Sequence, residues 1–238
     1  MVLAALADLV LPTGCAGCGA QGTPRRRGVC AACAAAIGAL TPHAVRPTPA
    51  PPGLPPCAAL GPYGGELREL VLSYKDRGRH GLARPLGTLL AGVVLAVADT
   101  PVLLVPVPDT AKAARERHGD HMARLARQAA RTLSTAGHPA EVAYPLIARP
   151  KADSAHLNAA ERAAAAAHAF ATRRGRVESL RRKAAGRAVV ILDDVVTTGV
   201  TLAAVTEHLQ AAGVRPNACA TLAATVRRSP GQGEFPSV

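Results

Sequence analysis

The sequence has almost no aromatic residues: three Tyr, two Phe and no Trp in 238 positions. A core must therefore be packed from small aliphatics, chiefly Ala, Val and Leu, and base stacking on aromatic rings has few platforms to use. Acidic residues are also few, 16 against 28 Lys plus Arg, which leaves a formal charge of +12. That excess suits an anionic partner such as a phosphate, a nucleotide or nucleic acid, and it equally suits a plain solvated basic surface. No apolar run is long enough to span a bilayer. Met1 to Pro12 contains Asp8 and lacks a basic start, and the run Leu89 to Ala98 is stopped by Asp99 and Pro101. Neither a signal peptide nor a membrane span is expected, so the expected setting is cytoplasmic, with reduced thiols. No repeat of fixed period occurs, and G-x-x-x-x-G-K-[ST] is absent, which removes P-loop chemistry.

What is present is enough apolar sequence, 49%, to exclude a disordered or fibrous chain. Thr41 to Pro56 carries seven prolines in sixteen residues, which is expected to forbid regular hydrogen-bonded structure and to act as a linker or strap. It divides the chain into a cysteine module over residues 1–40, a linker over 41–56 and a larger domain over 57–238. In the larger part, helical spacing predicts helices over Gly65–Tyr74, Leu82–Ala98, His121–Leu133 and Thr201–Ala212, the last closed by Gly213, and alanine richness predicts one over Ala159–Ala169. Short apolar runs predict strands at Val102–Val107, near Glu141–Ile147, at Ala188–Leu192 and at Ala218–Ala224, with a polar loop over Arg149–Asn158. Arg173–Arg187 is basic with no clear period. Strands alternating with helices predict an α/β fold, a parallel sheet with helices on both faces, whose ligand sits beyond the carboxyl ends of the strands.

Cys15-x-x-Cys18 and Cys30-x-x-Cys33 form two C-x2-C pairs eleven residues apart. Two such turns can close four thiolates around one zinc, and a segment this short needs the metal to fold. Disulfides do not suit a chain without a secretory signal, and a redox C-x-x-C does not come in two copies ahead of an α/β domain. Structural Zn²⁺ held by Cys15, Cys18, Cys30 and Cys33 is the expectation. Cys57 and Cys219 lack such spacing and read as small core residues.

The most informative stretch is Ile191-Leu192-Asp193-Asp194-Val195-Val196-Thr197-Thr198-Gly199-Val200-Thr201. A buried strand delivers two carboxylates, and a Thr-rich turn then opens a helix. Backbone N–H groups at a helix N-terminus cradle phosphate, hydroxyls add donors, and paired acids accept from a vicinal diol. Phosphate plus diol describes a ribose 5-phosphate. This run resembles the phosphoribosyl pyrophosphate (PRPP) motif of type I phosphoribosyltransferases. The resemblance implies that Asp193 and Asp194 bind the ribose hydroxyls, that Thr197, Thr198, Gly199 and Thr201 bind the 5-phosphate, and that Mg²⁺ arrives with PRPP. Purine-salvage members have Asp where Thr197 stands here, which argues against that activity. The cysteine module, Tyr63, Gly65, Arg68, Leu70 and Lys75, then V-P-V-P and Arg115-x-Arg117, resemble the ComF family from about Leu9 to Arg228. That family is associated with competence and DNA uptake.

By the same resemblance, Lys112, Arg115 and Arg117 hold pyrophosphate, while Arg149 and Lys151 stabilise its departure from a mobile cover. Relatives commonly read R-x-R-G-[FY]-N-Q, whereas this chain reads R-E-R-H-G-D-H, with Asp120 and His121 in place of the polar pair. Two functions are expected from these features. One is phosphoribosyl transfer from PRPP to an unknown nitrogen acceptor. The other is a non-catalytic accessory protein of DNA uptake or repair that retains a PRPP site and binds single-stranded DNA or the uptake machinery through the zinc module, Arg25–Arg27 and Arg173–Arg187. That second stretch holds seven Lys or Arg against one Glu.

Overall fold

A computed structural model describes residues 14–149, 169–173 and 175–225. The elements are β1 (Arg25–Arg26), β2 (Val29–Cys30), α1 (Ala31–Gly38), β3 (His43–Val45), β4 (Cys57–Pro62), α2 (Gly65–Lys75), α3 (Ala83–Leu95), β5 (Val102–Pro106), α4 (Ala111–Glu116) and α5 (His121–Thr135). They continue with β6 (Ala140–Val142), β7 (Leu146–Ala148), β8 (Phe170–Thr172), α6 (Val177–Ala184), β9 (Ala188–Val196), α7 (Val200–Ala211) and β10 (Ala218–Ala224). A six-stranded sheet in the order β3-β4-β10-β9-β5-β6 forms the centre. All its pairs are parallel except β3 with β4. The α/β expectation holds.

Strand β9 runs through the middle of this sheet, and its residues Val189 to Leu192 are no more than 2% exposed, as a strand covered on both faces requires. Two layers cover it. One, holding Val190 and Leu192, is built with α2, α3 and α5; the other, holding Val189 and Ile191, is built with α7. The core is the small-aliphatic one that the lack of aromatics demands. Helix α5 buries Met122, Leu125, Ala126, Ala129 and Leu133 at helical spacing. It packs tightly on α3 because Gly87 lacks a side chain: a Cβ there would lie 2.5 Å from the Cβ of Gln128.

Four expectations need correction. His43–Val45, inside the segment expected to lack regular structure, pairs with β4 through residues that are not proline. The strand expected near Glu141–Ile147 is two strands, because Pro145 lies between them: β6 joins the central sheet and β7 pairs with β8. The basic stretch Arg173–Arg187 contains α6, where Leu180 is buried and Val177 and Ala184 pack on the same layer at helical spacing, a pattern carried by only three apolar residues among the charges. Strand β9 continues past Leu192 to Val196, so the two acids lie within the strand rather than after it. The loop and helix expected over Arg149–Asn158 and Ala159–Ala169 fall, except for Arg149 and Ala169, outside the described residues.

Candidate functional site

The acids sit where a parallel sheet offers its ligand site, near the carboxyl end of β9. Neighbouring strand residues point to opposite faces. Asp194 therefore continues the face of Val190 and Leu192, toward α2 and α5, and Asp193 that of Val189 and Ile191. Lys75, the last residue of α2, brings its Nζ to 2.5 Å from Oδ2 of Asp194. His121, the first residue of α5, places Nε2 3.0 Å from the same oxygen and Nδ1 2.5 Å from Oδ2 of Asp109. Arg117 donates to Asp109 Oδ1 at 2.9 Å and to Asp76 Oδ1 at 3.2 Å. The groups thus form one chain, Lys75–Asp194–His121–Asp109–Arg117–Asp76.

Local sequence explains why these groups meet. Thr110 caps α4 by accepting from the N–H of Ala113, and Asp120 caps α5 by accepting from the N–H of Ala123. Asp120 also accepts from the N–H of Asp109, and the N–H of His121 donates to Asp109 Oδ2. The connection from β5 to α5 is thereby folded back on itself, with His121 turned toward β9. Asp109, Asp120 and His121 are close enough to share a cation. Their polar atoms are already joined by these hydrogen bonds.

The electrostatics follow from the contacts. Burial alone lowers the pKa of His121, but its hydrogen bonds to Asp109 and Asp194 outweigh burial and raise it to about 9, so both ring nitrogens donate at neutral pH. Burial raises Asp194, yet the His121 hydrogen bond and the Lys75 charge bring it down to about 2. Among the described residues no cation is hydrogen-bonded to Asp193, and Lys75 and His121 lower it only weakly, through their charge. Its Oδ1 accepts the N–H of Asp194 at 2.9 Å, and burial together with the Asp194 charge pushes it up to about 7. Lys75 is held above its ordinary value; burial opposes this and the Asp194 charge overrides it.

Beyond the acids, Thr197 and Thr198 are exposed, Gly199 is buried and Thr201 is exposed on the first turn of α7. Gly199 is the N-cap of α7 at φ +74°, and no side chain caps it. The first amides of the helix, which no carbonyl inside it can reach, are thus left to the turn and to any bound anion. The Pro-rich segment packs against this turn: a Cβ on Gly199 would lie 2.9 Å from Leu54, 3.0 Å from Pro47 and 3.4 Å from Pro51. Lys112 and Arg115 are exposed on α4, whereas Arg117 is committed to the two aspartates. Arg149 is exposed at the end of β7, and Lys151 lies outside the described residues. Spacing gave no sign of Asp109 and Asp76; only the acid directly after V-P-V-P could have pointed to Asp109.

The four module cysteines are gathered as the spacing predicts. Their Sγ atoms lie within 4.8 Å of one another, and those of Cys18 and Cys30 are 3.8 Å apart. A tetrahedral zinc with bonds of about 2.3 Å needs sulfurs about 3.8 Å apart, so the donor set fits the ion. Burial raises the Cys15 thiol, but N–H groups including those of Cys30 and Gly17, at 3.3 and 3.4 Å, outweigh it and lower its pKa to about 6, which favours the thiolate. All six cysteines are free thiols. Cys57 and Cys219 are buried side by side on β4 and β10, as expected of core residues. Among the described residues, no helix is long and apolar enough to cross a membrane.

Residues 123–235 match the family described as phosphoribosyl transferase domain. The match takes in β9, both acids, the threonine turn and α7. It excludes Lys75, Asp109, Arg117, His121 and the cysteine module. Nothing among curated proteins matches the chain. The chain has an α/β fold of the phosphoribosyltransferase type.

Proposed function

We propose that this phosphoribosyltransferase-type chain is a ComF-like protein that binds PRPP and transfers its phosphoribosyl group to a nitrogen acceptor. The observation that carries this reading is the order along β9 and α7: two carboxylates, then exposed Thr197 and Thr198, then a helix start with no side-chain cap. The acids accept the ribose hydroxyls; Thr197, Thr198, Thr201 and the backbone around Gly199 hold the 5-phosphate. Mg²⁺ bound with PRPP would offset the charge of the leaving pyrophosphate, exposed Lys112 and Arg115 would help, and Arg149 and Lys151 are assigned the same charge-neutralising role. The acceptor lone pair attacks C1, the C1–O bond breaks, its electron pair leaves with pyrophosphate, and the surplus proton on nitrogen passes to solvent. Positioning and charge carry the rate, because no side chain needs to form a bond to the substrate. In this reading, residues 1–40 are a structural zinc module, 41–56 a strap and 57–238 the transferase domain. Pyrophosphate release with Mg²⁺-PRPP and a panel of nitrogen acceptors tests it; no release with any of them, together with no PRPP binding, overturns it.

A second reading, a DNA-binding accessory role in uptake or repair, is favoured by a different surface. Arg27, Arg84 and Arg131 line a groove of about 640 Å³ together with Thr88, Thr132 and Gln128. The basic stretch lends it less than its charge suggests. Arg187 and Lys183 pair with Glu141, and Arg181 donates to the Ala212 carbonyl. Single-stranded DNA binding across a salt series decides, since phosphate contacts weaken as salt rises.

A further inference from the structure

We propose that His121 is a positioning residue of the donor site, which locks the Asp194 carboxylate in place and ties it, through Asp109, to Arg117. The proposal deepens the PRPP reading of the same site. Lys75 and His121 both converge on Oδ2 of Asp194, and Oδ1 has no hydrogen-bond partner among the described residues. Two donors on one oxygen fix the plane of a carboxylate and leave the other oxygen to accept a hydroxyl. His121 is itself fixed from behind. Its Nδ1 is held by Asp109 Oδ2, Asp109 Oδ1 is held by Arg117, and Tyr74 donates its hydroxyl to the His121 carbonyl at 2.8 Å. His121 is buried, at 5% exposure, and its ring cannot swing to another partner without taking a hydrogen bond from each of two carboxylates.

This assignment changes the role of Arg117. Its guanidinium is taken up by Asp109 and Asp76, so it acts as the far anchor of the chain of contacts rather than as a ligand of pyrophosphate. Lys112 and Arg115, exposed on the same connection, are left to face the anion. The titratable groups set against the imidazole are Asp109 from the β5–α5 connection and Asp194 from β9, which it touches, Asp193 from β9, whose charge is coupled to it, and Tyr74 from α2, whose ring centroid lies 6.3 Å away; Lys75 and Arg117 stand behind the two carboxylates they pair with. An imidazole that bridges two carboxylates must carry both protons, so losing one releases one of the acids.

The test is titration calorimetry of the full chain with Mg²⁺-PRPP, on wild type, His121→Gln and His121→Leu, from about pH 6 to about pH 10. Wild type is expected to lose affinity as pH rises through about 9. His121→Gln, which keeps one hydrogen bond and has no proton to lose, is expected to bind about tenfold more weakly at neutral pH and to show no step near pH 9; His121→Leu is expected to bind more weakly still. Wild-type affinity in both variants, with the same pH profile, overturns the proposal while leaving the PRPP reading intact. A wild type that does not bind Mg²⁺-PRPP overturns that reading, and the positioning role with it. If His121→Leu fails to fold, the pH profile of His121→Gln decides.

Discussion

The ammonium of Lys75 lies 2.5 Å from Oδ2 of Asp194, joining the end of α2 to the end of β9. The pair is unequally exposed, with side chains at 30% and 6%. Removing the lysine leaves a buried carboxylate with His121 as its one remaining cation among the described residues. Lys75→Met is expected to reduce folding stability by about 1–3 kcal/mol, less than a fully buried pair because water reaches the lysine. Urea denaturation at neutral pH reads this directly, and an unchanged midpoint and slope contradict it.

His121 sets a pH dependence of stability whose sign is fixed. Its folded pKa of about 9 lies above its ordinary value, so its contribution is complete below about pH 6.5 and is lost as pH climbs through about 9. Asp193, also raised, to about 7, adds an earlier loss that ends near that pH. The later loss is expected to be on the order of 3 kcal/mol at most and to vanish in His121→Gln. Denaturant midpoints measured at intervals between the two values check it; a wild type whose stability is flat above pH 7 contradicts it.

Gly199 holds a left-handed conformation beneath Leu54, Pro47 and Pro51. Gly199→Ala adds backbone strain and pushes a methyl group into the strap, so stability is expected to drop by about 1–3 kcal/mol. Because the strap then lifts from the turn, limited proteolysis within 41–56 should quicken. A variant as stable and as resistant as wild type contradicts the close approach.

The cysteine module reaches the site through α2. Ser73 donates to the Ala16 carbonyl at 3.0 Å, and Arg79 donates to the carbonyls of Gly14 and Gly28 at 2.8 and 3.4 Å. Mass spectrometry or atomic emission is expected to find one zinc per chain, and Cys33→Ser is expected to lose it and to open the module to proteases. Full metal content in that variant rules out the four-cysteine site.

Much of this was readable from sequence for identifiable physical reasons. The run Ala218–Ala224 becomes β10 with those limits, because a continuous apolar stretch bounded by polar turns has one solution in a covered sheet. The acid pair and threonine turn were legible as chemistry, since adjacent carboxylates directly after a buried apolar run serve no packing purpose. The partners of Asp194 were not legible as a set. Lys75, Asp109 and His121 come from three elements far apart in sequence, and only the fold brings them to one oxygen. The strap over Gly199 was hidden for the same reason: proline content announces an extended segment and does not say what it lies against.

In the proposed reading, the acid pair and the threonine turn bind PRPP. Titration calorimetry of wild type, Asp193→Asn and Asp194→Asn with PRPP, with and without Mg²⁺, tests it most directly. Wild type is expected to bind in a Mg²⁺-dependent way, and each variant to bind about tenfold or more weakly. Wild type that gives no binding heat, or variants that bind as tightly as wild type, would contradict it.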